Sequence, residues 1–69
     1  MGATIRVNGE DRRLEVGTVI ELLRAEGVDP ERRGVAVALN GAVVRRGDWP
    51  AAALSPGDEV EIVKPFAGG

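Results

Sequence analysis

Two Asn-Gly dipeptides, Asn8-Gly9 and Asn40-Gly41, each sit between short runs of apolar residues and set the frame of this chain. Asn-Gly is the pair favoured where both central residues of a two-residue hairpin loop need positive φ. Ahead of the first, Ala3 to Val7 alternates, with Ile5 and Val7 on one face and Thr4 and Arg6 on the other. After it, Arg12 to Val16 alternates again, with Leu14 and Val16 inward and Arg13 and Glu15 outward. Period-two patterning is the signature of a half-buried strand, so the chain opens as a β-hairpin. The second dipeptide joins Val35–Leu39 to Ala42–Val44. The first of these segments is nearly all apolar, which predicts a strand covered on both faces.

Between the hairpins the spacing changes to that of a helix. Thr18 and Glu21 form a capping-box pattern, and Val19, Leu22 and Leu23 make one apolar stripe. Gly27 fits the position just past the helix end, so the helix is predicted over Val19–Glu26. Asp29 to Gly34 is polar connection. Arg45 to Ala53 reads as irregular or a short helical turn holding Trp49, the only tryptophan, which is assigned to packing. Pro56-Gly57-Asp58 marks a turn, with Asp58 serving it. Glu59 to Val63 then alternates, with Val60 and Ile62 inward and Glu59 and Glu61 outward.

The order is two strands, a helix, two strands and a last strand. The expected fold class is α+β: a β-grasp, ubiquitin-like domain over 1–63, with one helix on one face of a mixed sheet of about five strands. The last strand is placed centrally, parallel to the first. Residues 64–69 form a flexible tail that reaches about 20 Å at ~3.3 Å per residue.

With 69 residues, a single domain must fold around one economical core. There is no cysteine and no histidine. This removes disulfides, thiolate metal sites, and the usual general base and transition-metal ligand. A net charge of −2 argues against nucleic acid and anionic membranes as partners. The pairs Arg12–Arg13, Arg32–Arg33 and Arg45–Arg46 are interleaved with acids and read as solvated surface. No apolar run reaches membrane-spanning length, and no signal pattern opens the chain, so a cytoplasmic location is expected.

The chemistry is expected at Gly68-Gly69. A terminal carboxylate is ionised at neutral pH and is a poor electrophile. An ATP-using enzyme can turn it into an acyl-adenylate open to sulfur or nitrogen nucleophiles. Glycines leave that carbonyl unobstructed and let the backbone enter a narrow channel. The chain would then be a substrate, not an enzyme. Phe66 either anchors in a partner pocket or folds back, and the partner role is preferred for a tail beyond Pro65. Ala36 and Ala38 are candidates for a docking patch on the sheet face away from the helix.

From Ala38 onward the residues carry a resemblance: Ala38-Leu39-Asn40, Val44-x-Arg46-x-x-Trp49, Gly57-Asp58 and Ala67-Gly68-Gly69. The chain resembles the ThiS-type β-grasp sulfur carriers of thiamine (thiazole) biosynthesis, with Arg45 where some members carry proline. The resemblance implies adenylation and then thiocarboxylate formation at Gly69, with Gly68 threading the partner's channel and Ala67 beside it. It implies three partners: a ThiF-like adenylating enzyme, a ThiG-like thiazole synthase, and a cysteine desulfurase or persulfide donor. No cofactor is bound; ATP is consumed by the activating partner. Alternatives left open are a carrier for molybdopterin or another sulfur metabolite, a lysine-linked modifier, and a β-grasp interaction module without chemistry.

Overall fold

The computed structural model describes residues 3–65. Its elements are β1 (Thr4–Val7), β2 (Glu10–Arg13), α1 (Val19–Ala25), β3 (Ala36–Leu39), β4 (Ala42–Val44), a 3-10 turn (Arg46–Asp48) and β5 (Glu59–Val63). The five strands form one sheet in the order β2-β1-β5-β3-β4. β5 lies centrally, parallel to β1 and antiparallel to β3, as the alternation and the position of the tail predicted.

Both hairpins close as their dipeptides require. Asn8 and Gly9 have φ of 51° and 82°, and Asn40 and Gly41 have 51° and 85°. The pairs Val7↔Glu10 and Leu39↔Ala42 flank two-residue loops. Positive φ at both central residues matches the right-handed twist of the strands they join.

The capping box at the start of α1 is complete. Glu21 Oε1 accepts from the N–H groups of Gly17 (2.9 Å) and Thr18 (3.1 Å), and Thr18 Oγ1 accepts from the Glu21 N–H at 3.4 Å. The next two donors, which an isolated helix would leave to water, are met from far along the chain. Val19 N–H donates to the Ala52 carbonyl (2.9 Å) and Ile20 N–H to that of Trp49 (3.1 Å).

The helix stripe Val19, Leu22 and Leu23 packs on the inward residues of the sheet, Ile5, Val7, Val37, Val60 and Ile62. Val28, Val35, Trp49 and Leu54 complete the core, which among the described residues contains no buried polar side chain. Trp49 is 2% exposed, and its indole N–H donates to the Val44 carbonyl at 2.9 Å. The packing role assigned to it is borne out.

Three expectations need correction. β2 occupies Glu10–Arg13, not Arg12–Val16, because the two-residue loop starts pairing immediately after Gly9. Leu14 and Val16 lie past its end, half-buried against the core. The helix stops at Ala25, one residue early, with Glu26 as its C-cap. The β3 segment is not covered on both faces: Val35 and Val37 are buried, whereas Ala36 is exposed. A single helix shields only one side of the sheet, and alanines tolerate the open side. No helix among the described residues is long and apolar enough to cross a membrane.

Candidate functional site

The site begins where β5 leaves the sheet, because that strand carries the chain toward Gly68-Gly69. Each hairpin asparagine grips β5 from one side. Asn8 Oδ1 accepts from the Ile62 N–H at 2.7 Å, and its Nδ2 donates to the Ile62 carbonyl at 3.2 Å. On the opposite flank, Asn40 Oδ1 accepts from the Glu59 N–H at 2.9 Å and its own N–H donates to the Glu59 carbonyl at 2.7 Å. Asn40 Nδ2 also donates to Asp58 Oδ1 at 3.0 Å, while Asp58 Oδ2 accepts from the Ser55 N–H at 2.7 Å. Asp58 therefore serves its turn, as expected, and ties that turn to the second hairpin.

Beyond Val63, Pro65 is half-buried beside Gly34. Gly34 has φ of +86°, and a β-carbon placed on it would lie 3.0 Å from Pro65 Cβ. A side chain there meets both backbone strain and the ring, so glycine is the residue that lets Pro65 settle in this position. Phe66, Ala67, Gly68 and Gly69, to which the sequence assigns the reacting end and its anchors, lie outside the described residues.

The sheet face away from α1 is the second part. Register places Ala36 opposite Val63, and Ala38 between Glu61 and Val43. Val43 is 80% exposed and Val63 59%. The two alanines named from the sequence thus share an open apolar patch with two valines that the sequence reading left unassigned. Alternation within β4 and β5 would have located both. Glu59 and Glu61 border the patch on the outward face, and their sequence reading as surface agrees with that exposure.

Arg46 is exposed, as its pair was read, and it is also fastened in place. Its guanidinium lies over the Trp49 ring, 4.8 Å from the centroid, and donates to the carbonyls of Pro30 and of Arg32, the latter at 2.8 Å. It fastens the connection between α1 and β3 to the core. The i, i+3 spacing of Arg46 and Trp49 was the available signal, but the partners in the 30–32 loop are distant in sequence.

Known proteins share this fold. The model of the ThiS family matches residues 5–69. The chain belongs to the ThiS family. The resemblance to ThiS-type sulfur carriers read from the sequence is borne out, and with it the β-grasp fold. The crystal structure of the thiamine biosynthesis protein ThiS from Geobacter metallireducens superposes with a TM-score of 0.76 at 33% identity, covering 96% of this chain and 99% of that one. The solution structure of a thiamine biosynthesis protein from the same organism gives the same TM-score and identity over 87% of its length. A thiazole synthase of Magnetococcus marinus is 44% identical over 66 residues, which is 94% of this chain. The chain spans about a fifth of the length of that curated relative, 20%.

In this ThiS-family chain the residues behind the resemblance have structural reasons. Trp49 fills the core and bonds to Val44, Arg46 stacks on Trp49, and Asn40 and Asp58 bond to each other. Asn40 and Asp58 thus record how the start of β5 is held, while Trp49 and Arg46 fasten the core and the 30–32 loop.

Proposed function

We propose that this chain is a sulfur carrier for the thiazole of thiamine, with the α-carboxylate of Gly69 as the group that is activated and loaded. The observation that carries this reading is that the ThiS-family match runs through to Gly69. The Gly69 carboxylate attacks the α-phosphorus of ATP on a ThiF-like enzyme, releasing pyrophosphate. The outer sulfur of a persulfide, supplied by a cysteine desulfurase system, displaces AMP. A thiol then cleaves the acyl disulfide and leaves a thiocarboxylate. A ThiG-like thiazole synthase takes that sulfur and returns the carboxylate.

The carrier needs no catalytic side chain or resident cofactor in this scheme, and ATP is spent on the partner. Residues 64–69 act as the arm, with Gly68 in the partner's channel and Phe66 and Ala67 against its walls. The patch formed by Ala36, Ala38, Val43 and Val63 is the docking face. One of its four residues, Val63, ends the strand that leads into the arm, so a partner seated there would be close to where the arm begins. The thiazole synthase that contains a segment like this chain supports that enzyme as a partner. The reading places the chain in the cytoplasm with these ATP-using partners.

The test is the intact mass of the chain after incubation with ATP, cysteine and an extract of its host, with an established carrier as positive control. Exchange of one oxygen for sulfur, localised to Gly69, is expected. No change while the control converts would overturn the carrier reading. Lysine-linked conjugates would show a protein modifier instead.

A further inference from the structure

We propose that the cleft between α1 and the loop joining it to β3 is a second docking site, which takes an acidic protein segment bearing one apolar side chain. The cleft has a volume of about 390 Å³. Its floor is Ile20, Pro30 and the edge of Trp49; its rim carries Arg24, Arg33 and Arg46, opposed by the single acid Glu31. It lies on the helix side of the molecule, away from the open sheet face.

The walls are already in place. Arg46 is pinned over Trp49 and bonded to the carbonyls of Pro30 and Arg32, and the start of α1 is bonded to Trp49 and Ala52. A preformed cleft spares a partner the entropy of ordering it. Arg46 is fixed by neutral carbonyls, so no carboxylate cancels its charge. Arg24 and Arg33 join no ion pair among the described residues, where Arg6 and Arg12 hold all three.

Charge selects the occupant. Three arginines against one glutamate give a positive cleft on a chain of net charge −2. The shallow hollows on and beside the open sheet face are lined instead by Asp11, Glu59 and Glu61, with Arg6 the one cation. An acidic segment is drawn to the helix side and repelled from the other. A bare anion would leave Ile20 and Pro30 uncovered, whereas a segment with carboxylates around one apolar side chain meets both floor and rim. The 29–34 loop that walls the cleft also holds Gly34 against Pro65, so a partner bound here sits one loop away from the base of the arm.

The proposal stands independently of sulfur chemistry and is tested without any enzyme. The full chain, labelled with nitrogen-15, is titrated with the capped peptide Asp-Glu-Leu-Asp-Asp, a version with Ser for Leu, and inorganic phosphate. The leucine peptide is expected to shift the Trp49 indole N–H and the amides of Ile20, Arg24 and Arg33. Combined R24E and R33E should weaken that binding by at least about tenfold, and the milder R24Q and R33Q pair should weaken it less. R13E, on the open face, should leave it unchanged. No shift at millimolar peptide would overturn the proposal. So would shifts centred on Glu59 and Glu61, equal shifts from phosphate alone, or indifference to the charge reversal.

Discussion

Asn8 and Ile62, 54 residues apart, are joined by two hydrogen bonds between the Asn8 side-chain amide and the Ile62 main chain. The parallel ladder of β1 and β5 pairs only Arg6 with Glu59 and Val7 with Val60. The Asn8 amide adds a further rung where β1 has already turned away. The strand that carries the arm is therefore held up to its fourth residue by a side chain that imitates a backbone.

N8G separates this clasp from the turn, because glycine keeps the positive φ easily and loses only the side-chain bonds. It should destabilise the chain by about 1–2 kcal/mol. N8A should cost about 1 kcal/mol more, from left-handed strain. Urea unfolding measures both; equal stability of N8G and the parent would show that the clasp contributes nothing.

Arg46 joins the 30–32 loop to Trp49, and R46A should cost about 1–2 kcal/mol. R46K should recover little, since an ammonium cannot lie flat on the ring while bridging two carbonyls. Hydrogen exchange should accelerate first in residues 30–34. Uniform acceleration across the sheet would contradict a local fastening role.

Glu21 has a pKa lowered from 4.5, first by the hydrogen bond from the Gly17 N–H and then by those from Thr18. A carboxyl depressed in the folded state contributes stability that is full above its unfolded value and lost as pH falls through the folded one. The urea midpoint should therefore drop below about pH 4.5 more steeply in the parent than in E21Q. Parallel pH profiles would remove Glu21 from the acid response. At neutral pH, T18A should cost about 1 kcal/mol through loss of the cap.

Gly34 and Gly27 both have positive φ, +86° and +77°, but only Gly34 has a neighbour in the path of a β-carbon. G34A and G27A should each lose about 1 kcal/mol from backbone strain. G34A alone should also displace Pro65 and slow thiocarboxylate formation, with affinity for the activating enzyme retained. Equal slowing in the two variants would separate the arm's aim from Gly34.

Val43 is 80% exposed on the open face, so V43E should leave stability within about 0.5 kcal/mol. Binding to the activating enzyme should weaken by at least about tenfold if the Ala36, Ala38, Val43 and Val63 patch docks it. Unchanged binding in a titration would move the docking surface elsewhere.

Much of this fold was legible because its signals are local. Positive φ at Asn8-Gly9 and Asn40-Gly41, the Thr18–Glu21 box, and the alternation of Val60 and Ile62 each depend on a few adjacent residues. The inward set of β1 and β5 and the stripe of α1 came directly from spacing. The candidate site was legible in part. Ala36 and Ala38 were named, but Val43 and Val63 joined them only once register put the four on one face. The near-continuous apolar run of Val35–Leu39 misled, because composition does not count how many helices are present to cover a sheet.

The sequence by itself determined the order of the elements and the turn chemistry, and it contains neither cysteine nor histidine. Tertiary structure alone decided that Asn8 clasps Ile62, that Asn40 grips Glu59, that Arg46 binds a loop beyond its own turn, and that Pro65 rests on Gly34. Turns and caps arise from torsional preferences and bonds within a few residues. The clasps require backbone groups from distant segments to meet, and the pairing of β5 with β1 and β3 brings those segments together.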